Sequence, residues 1–127
     1  VHDIPLESNR FDVLFCNHVM EHVDDPIQCM KEFYRVMKPG AWAIMQVPQD
    51  MSRELTYEDS SITTPEQREI HFWQYDHVRL FGRDYPQWLE KAGFQVDVFD
   101  IKQHYTPEQI ASFCISKDEM LYIARKV

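Results

Sequence analysis

The sequence of 127 residues predicts an α/β fold that contains a strand–helix–strand crossover between parallel strands. Three observations predict this fold. The apolar run 11–16 (FDVLFC) is typical of a strand covered on both faces. An amphipathic helix follows, and the Pro-Gly pair 39–40 is expected to end it. The second apolar run, 41–47 (AWAIMQV), predicts a strand parallel to the first, because a helical crossover joins parallel strands.

The first helix has clear start and stop signals. Asp25 is the expected N-cap, and Pro26 suits the first helical position because its missing N–H has no helical partner there. Lys38 stands at the expected C-terminal end, where a cation favours the helix dipole. One apolar stripe is predicted from helical spacing, formed by Ile27, Met30, Phe33, Tyr34 and Met37.

The rest of the chain completes one predicted domain, residues 1–127. Residues 48–83 are polar and rich in turn signals, which predicts a lid-like insertion with one weak helix. The weak helix spans 65–72, and four further elements are predicted: helices 84–92 and 106–113, and strands 94–101 and 120–124. We therefore expect four strands in total, the last of them antiparallel, with flanking helices.

Composition excludes several classes of partner. The formal net charge of −8 argues against a nucleic-acid partner, which requires a basic face. No apolar run of ~18 residues occurs, so we expect no membrane partner. The three cysteines are far apart and form no CxxC pair, which predicts neither a disulfide framework nor a metal knuckle. A cytoplasmic location is the resulting expectation.

A polar cluster follows the first predicted strand, formed by Asn17, His18, Glu21 and His22. Ligands of open α/β sheets bind at the carboxyl ends of strands. The alternative for any one of these residues is a solvated turn that caps the next helix. Taken with the strand and helix around the cluster, the pattern favours a binding or catalytic role.

Residues 18–22 also spell HxxEH (HVMEH), which suggests a zinc hydrolase as an alternative function. On a helix, His18 and His22 would share one face and bind zinc, with Glu21 as the general base. Such a site needs a long helix, whereas a strand is expected to end near Cys16 and a new helix to begin at Pro26. We therefore expect no metal site.

A second group of titratable residues lies near the end of the insertion: His71, Tyr75, Asp76, His77 and Arg79. These side chains, interleaved with aromatic residues, could line a pocket, and a His beside an Asp can act as a general base. Alternatively, the segment is a lid whose apolar residues pack on the sheet while the polar ones face water. The sequence leaves both alternatives open.

Together these motifs resemble the C-terminal half of a class I S-adenosylmethionine-dependent methyltransferase of the ubiquinone and menaquinone biosynthesis type. The resemblance rests on segments 3–6 (DIPL), 11–14 (FDVL), 21–23 (EHV) and 32–41 (EFYRVMKPGA), in that order and spacing. It implies a partial Rossmann-like fold, a transferase that uses S-adenosylmethionine, and a small-molecule acceptor.

The resemblance also implies roles for individual residues. Asp3 and Ile4 would approach the adenine of S-adenosylmethionine, with Asp3 accepting from the exocyclic amine. Asn17 and His18 would lie against the methionine end of the cofactor. His22 would face the reaction centre. Methyl transfer needs orientation and sometimes a base, and either His22 or His77 could be that base.

One departure from the family pattern limits what this chain can do alone. The glycine-rich loop and the first three strands of the family are absent from the sequence, which begins at Val1. We therefore expect the C-terminal half of a longer enzyme, inactive alone; a non-catalytic binding or regulatory module is the alternative. Strand 11–16 would then be an apolar edge, which predicts a homo-oligomer.

Overall fold

A computed structural model describes all residues, 1–127, and confirms the α/β fold. The elements are β1 (Phe11–Phe15), α1 (Pro26–Val36), β2 (Met37–Ile44), β3 (Tyr57–Glu58), α2 (Pro65–Phe72), β4 (Arg79–Leu80), α3 (Tyr85–Lys91), β5 (Gln95–Asp100), α4 (Ile101–His104), α5 (Pro107–Ser112) and β6 (Met120–Arg125). The main sheet has the order β1-β2-β6-β5. β1 and β2 are parallel, and β6 is antiparallel to both of its neighbours.

Helix α1 begins where the sequence predicts. Asp25 caps it, because its side-chain oxygen accepts a hydrogen bond from the backbone N–H of Gln28 at 2.9 Å, and Pro26 is the first helical residue. The predicted end is wrong. The helix ends at Val36, and Met37 already has extended backbone angles as the first residue of β2.

The early start of β2 has a physical cause in the pairing with β1. Met37 pairs with Phe11, whereas Trp42 pairs with Val13, so extra residues of β2 bulge out between these two pairs. Gly40 lies in the bulge with φ of +83°, a conformation that glycine adopts without a Cβ penalty. The Pro-Gly pair therefore shapes a strand and does not end the helix.

Strand β1 differs from the expectation of a strand covered on both faces. It pairs only with β2 and forms one edge of the sheet, as predicted for a strand without a second partner. Three of its apolar side chains are exposed, those of Phe11, Val13 and Phe15, at 41%, 39% and 65%. No helix covers this face of the strand.

Residues 48–83 contain more order than the predicted irregular lid. β3 and β4 form a small antiparallel sheet, and α2 spans the predicted residues. Ile62, Phe72 and Leu80 form a separate buried cluster beneath them. The main core lies around β2, α1 and α3. No helix in the structure is long and apolar enough to span a membrane.

Candidate functional site at the end of strand β1

Asn17 and His18 lie at the carboxyl end of β1, beside the continuation of β2. The Asn17 side-chain oxygen accepts a hydrogen bond from the backbone N–H of Gln46 at 3.1 Å, and the backbone N–H of His18 donates to the Gln46 carbonyl at 2.8 Å. His18 has a positive φ of 57°, which turns the chain sharply after the strand. Both residues are exposed at the sheet edge where ligands of such sheets bind.

Glu21 is the centre of the site, and its side chain is only 2% exposed. Neither carboxylate oxygen has a hydrogen-bond partner. Three imidazoles surround Oε1, at 3.6 Å from His18 Nδ1, 3.8 Å from His22 Nε2 and 4.0 Å from His77 Nε2. A buried carboxylate is costly without a compensating cation, so positive charge is favoured at this point.

The rings of His22 and His77 are held by their other nitrogens. His77 Nδ1 lies 2.9 Å from the Phe72 carbonyl oxygen, and His22 Nδ1 lies 3.3 Å from the Asp76 carbonyl oxygen. Because a carbonyl oxygen can only accept, each Nδ1 carries the proton and donates it. The two rings meet edge to face, with centroids 4.7 Å apart.

Arg79 anchors the end of the insertion against the loop that carries Glu21. Its guanidinium donates to the carbonyl oxygens of Met20, Val23 and Asp24, and it pairs with Glu58 at 2.6 Å. A backbone hydrogen bond from Val78 to the Glu21 carbonyl, at 2.9 Å, joins the same two segments. These contacts between the insertion and the loop place His77 beside Glu21.

The second group of residues from the sequence analysis separates into residues that face the Glu21 loop and residues that face solvent. Asp76, His77 and Arg79 face the Glu21 loop, whereas His71 and Tyr75 are exposed, and His71 contacts the Tyr57 hydroxyl at 3.2 Å. Each alternative from the sequence is therefore partly right. No sequence pattern predicts that the two polar groups form one cluster, since one precedes the long insertion and the other lies near its end.

The Asp3-Ile4 loop is held against α1 by the ion pair between Glu32 and Arg35. The Ile4 N–H donates to Glu32 at 2.9 Å, and Arg35 donates to the Ile4 carbonyl oxygen at 2.9 Å. Arg35 and Glu32 pair at 2.8 Å, and the Arg35 hydrogen bond, followed by that of Ile4, lowers the pKa of Glu32 to about 2. The sequence signal that indicates this ion pair is the E-x-x-R spacing of Glu32 and Arg35, which places the two side chains one helical turn apart.

The HxxEH pattern does not form a zinc-hydrolase motif. Residues 17–25 are turns and irregular backbone, and α1 begins only after them. His18 and His22 therefore do not share one face of a helix. Glu21, the expected general base of that motif, is buried behind the imidazoles and has little access to a water nucleophile.

Two clefts lie near these residues. One, of about 260 Å³, adjoins the Asn17–His18 segment through their shared neighbour Gln46. Its lining consists of Gln46, Val47, Gln49, Met51, Ser116, Asp118, Glu119 and Met120. The larger one, of about 340 Å³, is lined partly by Arg79 and Glu58 and does not include Asn17 or His18.

A family model described as a methyltransferase domain matches residues 2–97, more than half of the chain. The chain belongs to this methyltransferase family. A protein of Streptomyces fradiae described as an uncharacterized 37.1 kDa protein in transposon TN4556 is 31% identical over 99 residues, 76% of this chain and 28% of that protein. Cycloartenol-C-24-methyltransferase 1 of Oryza sativa subsp. japonica is 43% identical over 37 residues, 29% of this chain and 11% of that protein.

Solved structures show the same methyltransferase fold. An S-adenosylmethionine-dependent methyltransferase from Mesorhizobium loti superposes with a TM-score of 0.57 at 16% identity, covering 98% of this chain and 65% of that one. The [4+2]-cyclase SpnF superposes with a TM-score of 0.62 at 18% identity, covering 98% and 54%. This methyltransferase-family chain therefore spans under two thirds of the length of these similar proteins.

The methyltransferase family implies S-adenosylmethionine as cofactor, and this chain fits one side of it. Asp3 is exposed, and its two neighbours hold it beside α1. The His2 ring accepts a hydrogen bond from the backbone N–H of Asp25, the α1 N-cap, at 3.2 Å, and the Ile4 N–H donates to Glu32. Asn17 and His18 are exposed at the strand end. These exposed polar groups are accessible from solvent, whereas the 127 residues contain no glycine-rich loop for the methionine part of the cofactor.

Proposed function

We propose that this chain is the acceptor-side part of an S-adenosylmethionine-dependent methyltransferase that methylates a small molecule within a longer enzyme. The observation that carries the proposal is the position of Asn17 and His18 at the carboxyl end of β1, beside Gln46 and its cleft. S-adenosylmethionine supplies an electrophilic methyl group. The chain itself supplies orientation, which can lower a barrier by several kcal/mol, roughly 7–11 in favourable cases.

The exposed polar groups have distinct parts in this proposal. Asp3 and Ile4, held by Glu32, bind the adenine end of the cofactor. Asn17 and His18 bind its methionine end. The cleft beside Gln46 takes the acceptor, and its volume of about 260 Å³ suits a small molecule.

Of the two candidate bases, His22 has the better access to an acceptor. Its side chain is 31% exposed, whereas that of His77 is 6% exposed. We assign proton acceptance to His22 and the positioning of its ring to His77 and Asp76. Asp76 remains a carboxylate, since hydrogen bonding from Gln74, and then the charge of His22, lowers its pKa.

Chemical-shift mapping by NMR tests the cofactor part of the proposal. Because these 127 residues contain no glycine-rich loop to bind the cofactor, we expect the protein to bind S-adenosylmethionine weakly, with a dissociation constant on the order of 1 mM. Amides 3–4 and 17–18 should shift, and those of β5 at the far edge should not. Saturable shifts confined to other regions, or none at all, would contradict the proposal.

A non-catalytic binding module is the second candidate. It is favoured by the lack of a glycine-rich loop in these 127 residues, which leaves the methionine part of the cofactor without that contact. Labelled methyl transfer by the longer protein that carries this chain separates the two candidates. Cofactor binding without transfer to any small-molecule acceptor would support the module.

A further inference from the structure

Glu21 has a buried carboxyl group that methyl transfer does not explain. Its side chain is 2% exposed, and both of its oxygens lack hydrogen-bond partners. Such a group costs stability unless it is neutralised or receives strong partners. A cation bound here would therefore stabilise the folded protein, and this effect does not depend on the acceptor of the methyl group.

The two best-buried imidazoles present lone pairs to this carboxylate. His77 Nδ1 donates to the Phe72 carbonyl oxygen at 2.9 Å, and His22 Nδ1 faces the carbonyl and side-chain oxygens of Asp76 at 3.3 and 3.4 Å. In a neutral ring whose Nδ1 carries the proton, Nε2 has the free lone pair. Both Nε2 atoms face Glu21 Oε1.

We propose that Glu21, His22 and His77 bind one divalent transition-metal ion of the Zn²⁺ type, in contrast to the absence of a metal site expected from the sequence. The site differs from the HxxEH pattern, because Glu21 is a ligand and the second histidine comes from the insertion. Binding of the ion does not depend on methyl transfer.

The distances suit a single ion after a small movement. Zinc lies ~2.0–2.2 Å from nitrogen and oxygen ligands in a tetrahedral arrangement, which places two ligand atoms roughly 3.3–3.6 Å apart. Glu21 Oε1 is 3.8 Å from His22 Nε2 and 4.0 Å from His77 Nε2, and all the ligand atoms lie within 4.8 Å of one another. His22 is partly exposed and can move inward to close the site.

The donor set selects the type of metal. Two imidazoles and one carboxylate suit Zn²⁺, Co²⁺ or Fe²⁺, whereas Mg²⁺ prefers oxygen ligands and retains its water. The hydrogen bonds from the two Nδ1 atoms to oxygen atoms are the usual outer contacts of metal-bound histidines, and they fix the ring orientation. A metal and a proton compete for His22 Nε2, so His22 accepts a proton only in the metal-free protein.

Isothermal titration of the purified, chelator-treated 127-residue protein with Zn²⁺ tests the site. We expect one Zn²⁺ per chain, and Mg²⁺ should not bind. Glu21→Gln keeps the size of the side chain but removes the charge, and it should weaken Zn²⁺ binding on the order of 100-fold or more. His104→Gln, at an exposed histidine outside the cluster, should leave the affinity unchanged within about twofold.

Thermal denaturation distinguishes a variant that has lost the Zn²⁺ site from a variant that binds weakly because it is unfolded. A hundredfold excess of Zn²⁺ over its dissociation constant should raise the Tm of the wild type by roughly 10 °C and leave that of Glu21→Gln unchanged. The metal-free Glu21→Gln protein should melt no lower than the metal-free wild type, because an unpaired charge has been removed. Equal Zn²⁺ affinity of the two proteins, or no Zn²⁺ binding by the folded wild type, would overturn the proposal.

Discussion

His77 Nε2 lies 4.0 Å from Glu21 Oε1, although Glu21 precedes the 48–83 insertion and His77 lies near the end of it. Arg79 maintains this approach, because its guanidinium binds three carbonyl oxygens of the Glu21 loop. The insertion therefore forms part of the site. The geometry of the cluster therefore depends on this anchor as well as on its own side chains.

Replacement of Arg79 should destabilise the protein strongly. Arg79 is 3% exposed, and Arg79→Leu leaves carbonyl oxygens of the 20–24 loop without donors, at a cost of about 3 kcal/mol. Arg79→Lys should recover only part of this, since an ammonium group lacks the planar fork. Urea unfolding measures both values. Arg83→Lys, at an exposed position, is the control, and an equal loss there would contradict this account.

The Glu32–Arg35 pair should make stability depend on acidity below pH 4.5. Glu32 has its pKa lowered from 4.5 to about 2 in the folded protein. A lowered folded pKa stabilises the protein above the unfolded value, and this contribution is lost as the pH falls from about 4.5 through about 2. Glu32→Gln should therefore be less stable than the wild type at neutral pH.

Urea unfolding between pH 7 and pH 2 checks this dependence. The difference between the wild type and Glu32→Gln should shrink steadily below pH 4.5 and vanish near pH 2. Glu54→Gln, at an exposed carboxylate without an ion pair, is the matched control and should show a constant, small difference. A difference between the wild type and Glu32→Gln that persists unchanged at pH 2 would contradict the assignment.

Only one cysteine of the native protein should react with a thiol reagent. Cys114 is exposed, whereas Cys16 and Cys29 are buried. Burial, with a smaller effect of Glu21, raises the pKa of Cys16 to about 12, so its thiolate is scarce at neutral pH. Mass spectrometry should find one adduct on the folded protein and three after denaturation. Rapid labelling of a folded Cys114→Ser variant would show that Cys16 or Cys29 is accessible, which would contradict the burial of these two cysteines.

We propose that the exposed edge strand β1 pairs two copies of the chain. Phe15 is 65% exposed on a strand whose outer backbone groups lack a partner strand. Light scattering after gel filtration should detect dimers at about 100 μM, and Phe15→Lys should give monomers. Val98→Lys, on the opposite edge strand β5, should remain dimeric. A wild type that is monomeric at every concentration would refute the pairing.

The local signals of this sequence determined most of its elements. The Asp25-Pro26 start of α1, the span of α2, the parallel pair of strands and the antiparallel last strand follow from caps, prolines and apolar periodicity. These features depend on residues close together in the chain. Asn17 and His18 were placed at a strand end for the same reason.

The tertiary structure alone decided what the sequence left open. Met37 belongs to β2 because it pairs with Phe11, and a long-range pairing outweighs a helical pattern. His77 reaches Glu21 because Arg79, two residues further along the insertion, binds the loop that carries Glu21. Spacing along the chain carries no information about such contacts, since they depend on how separate elements pack.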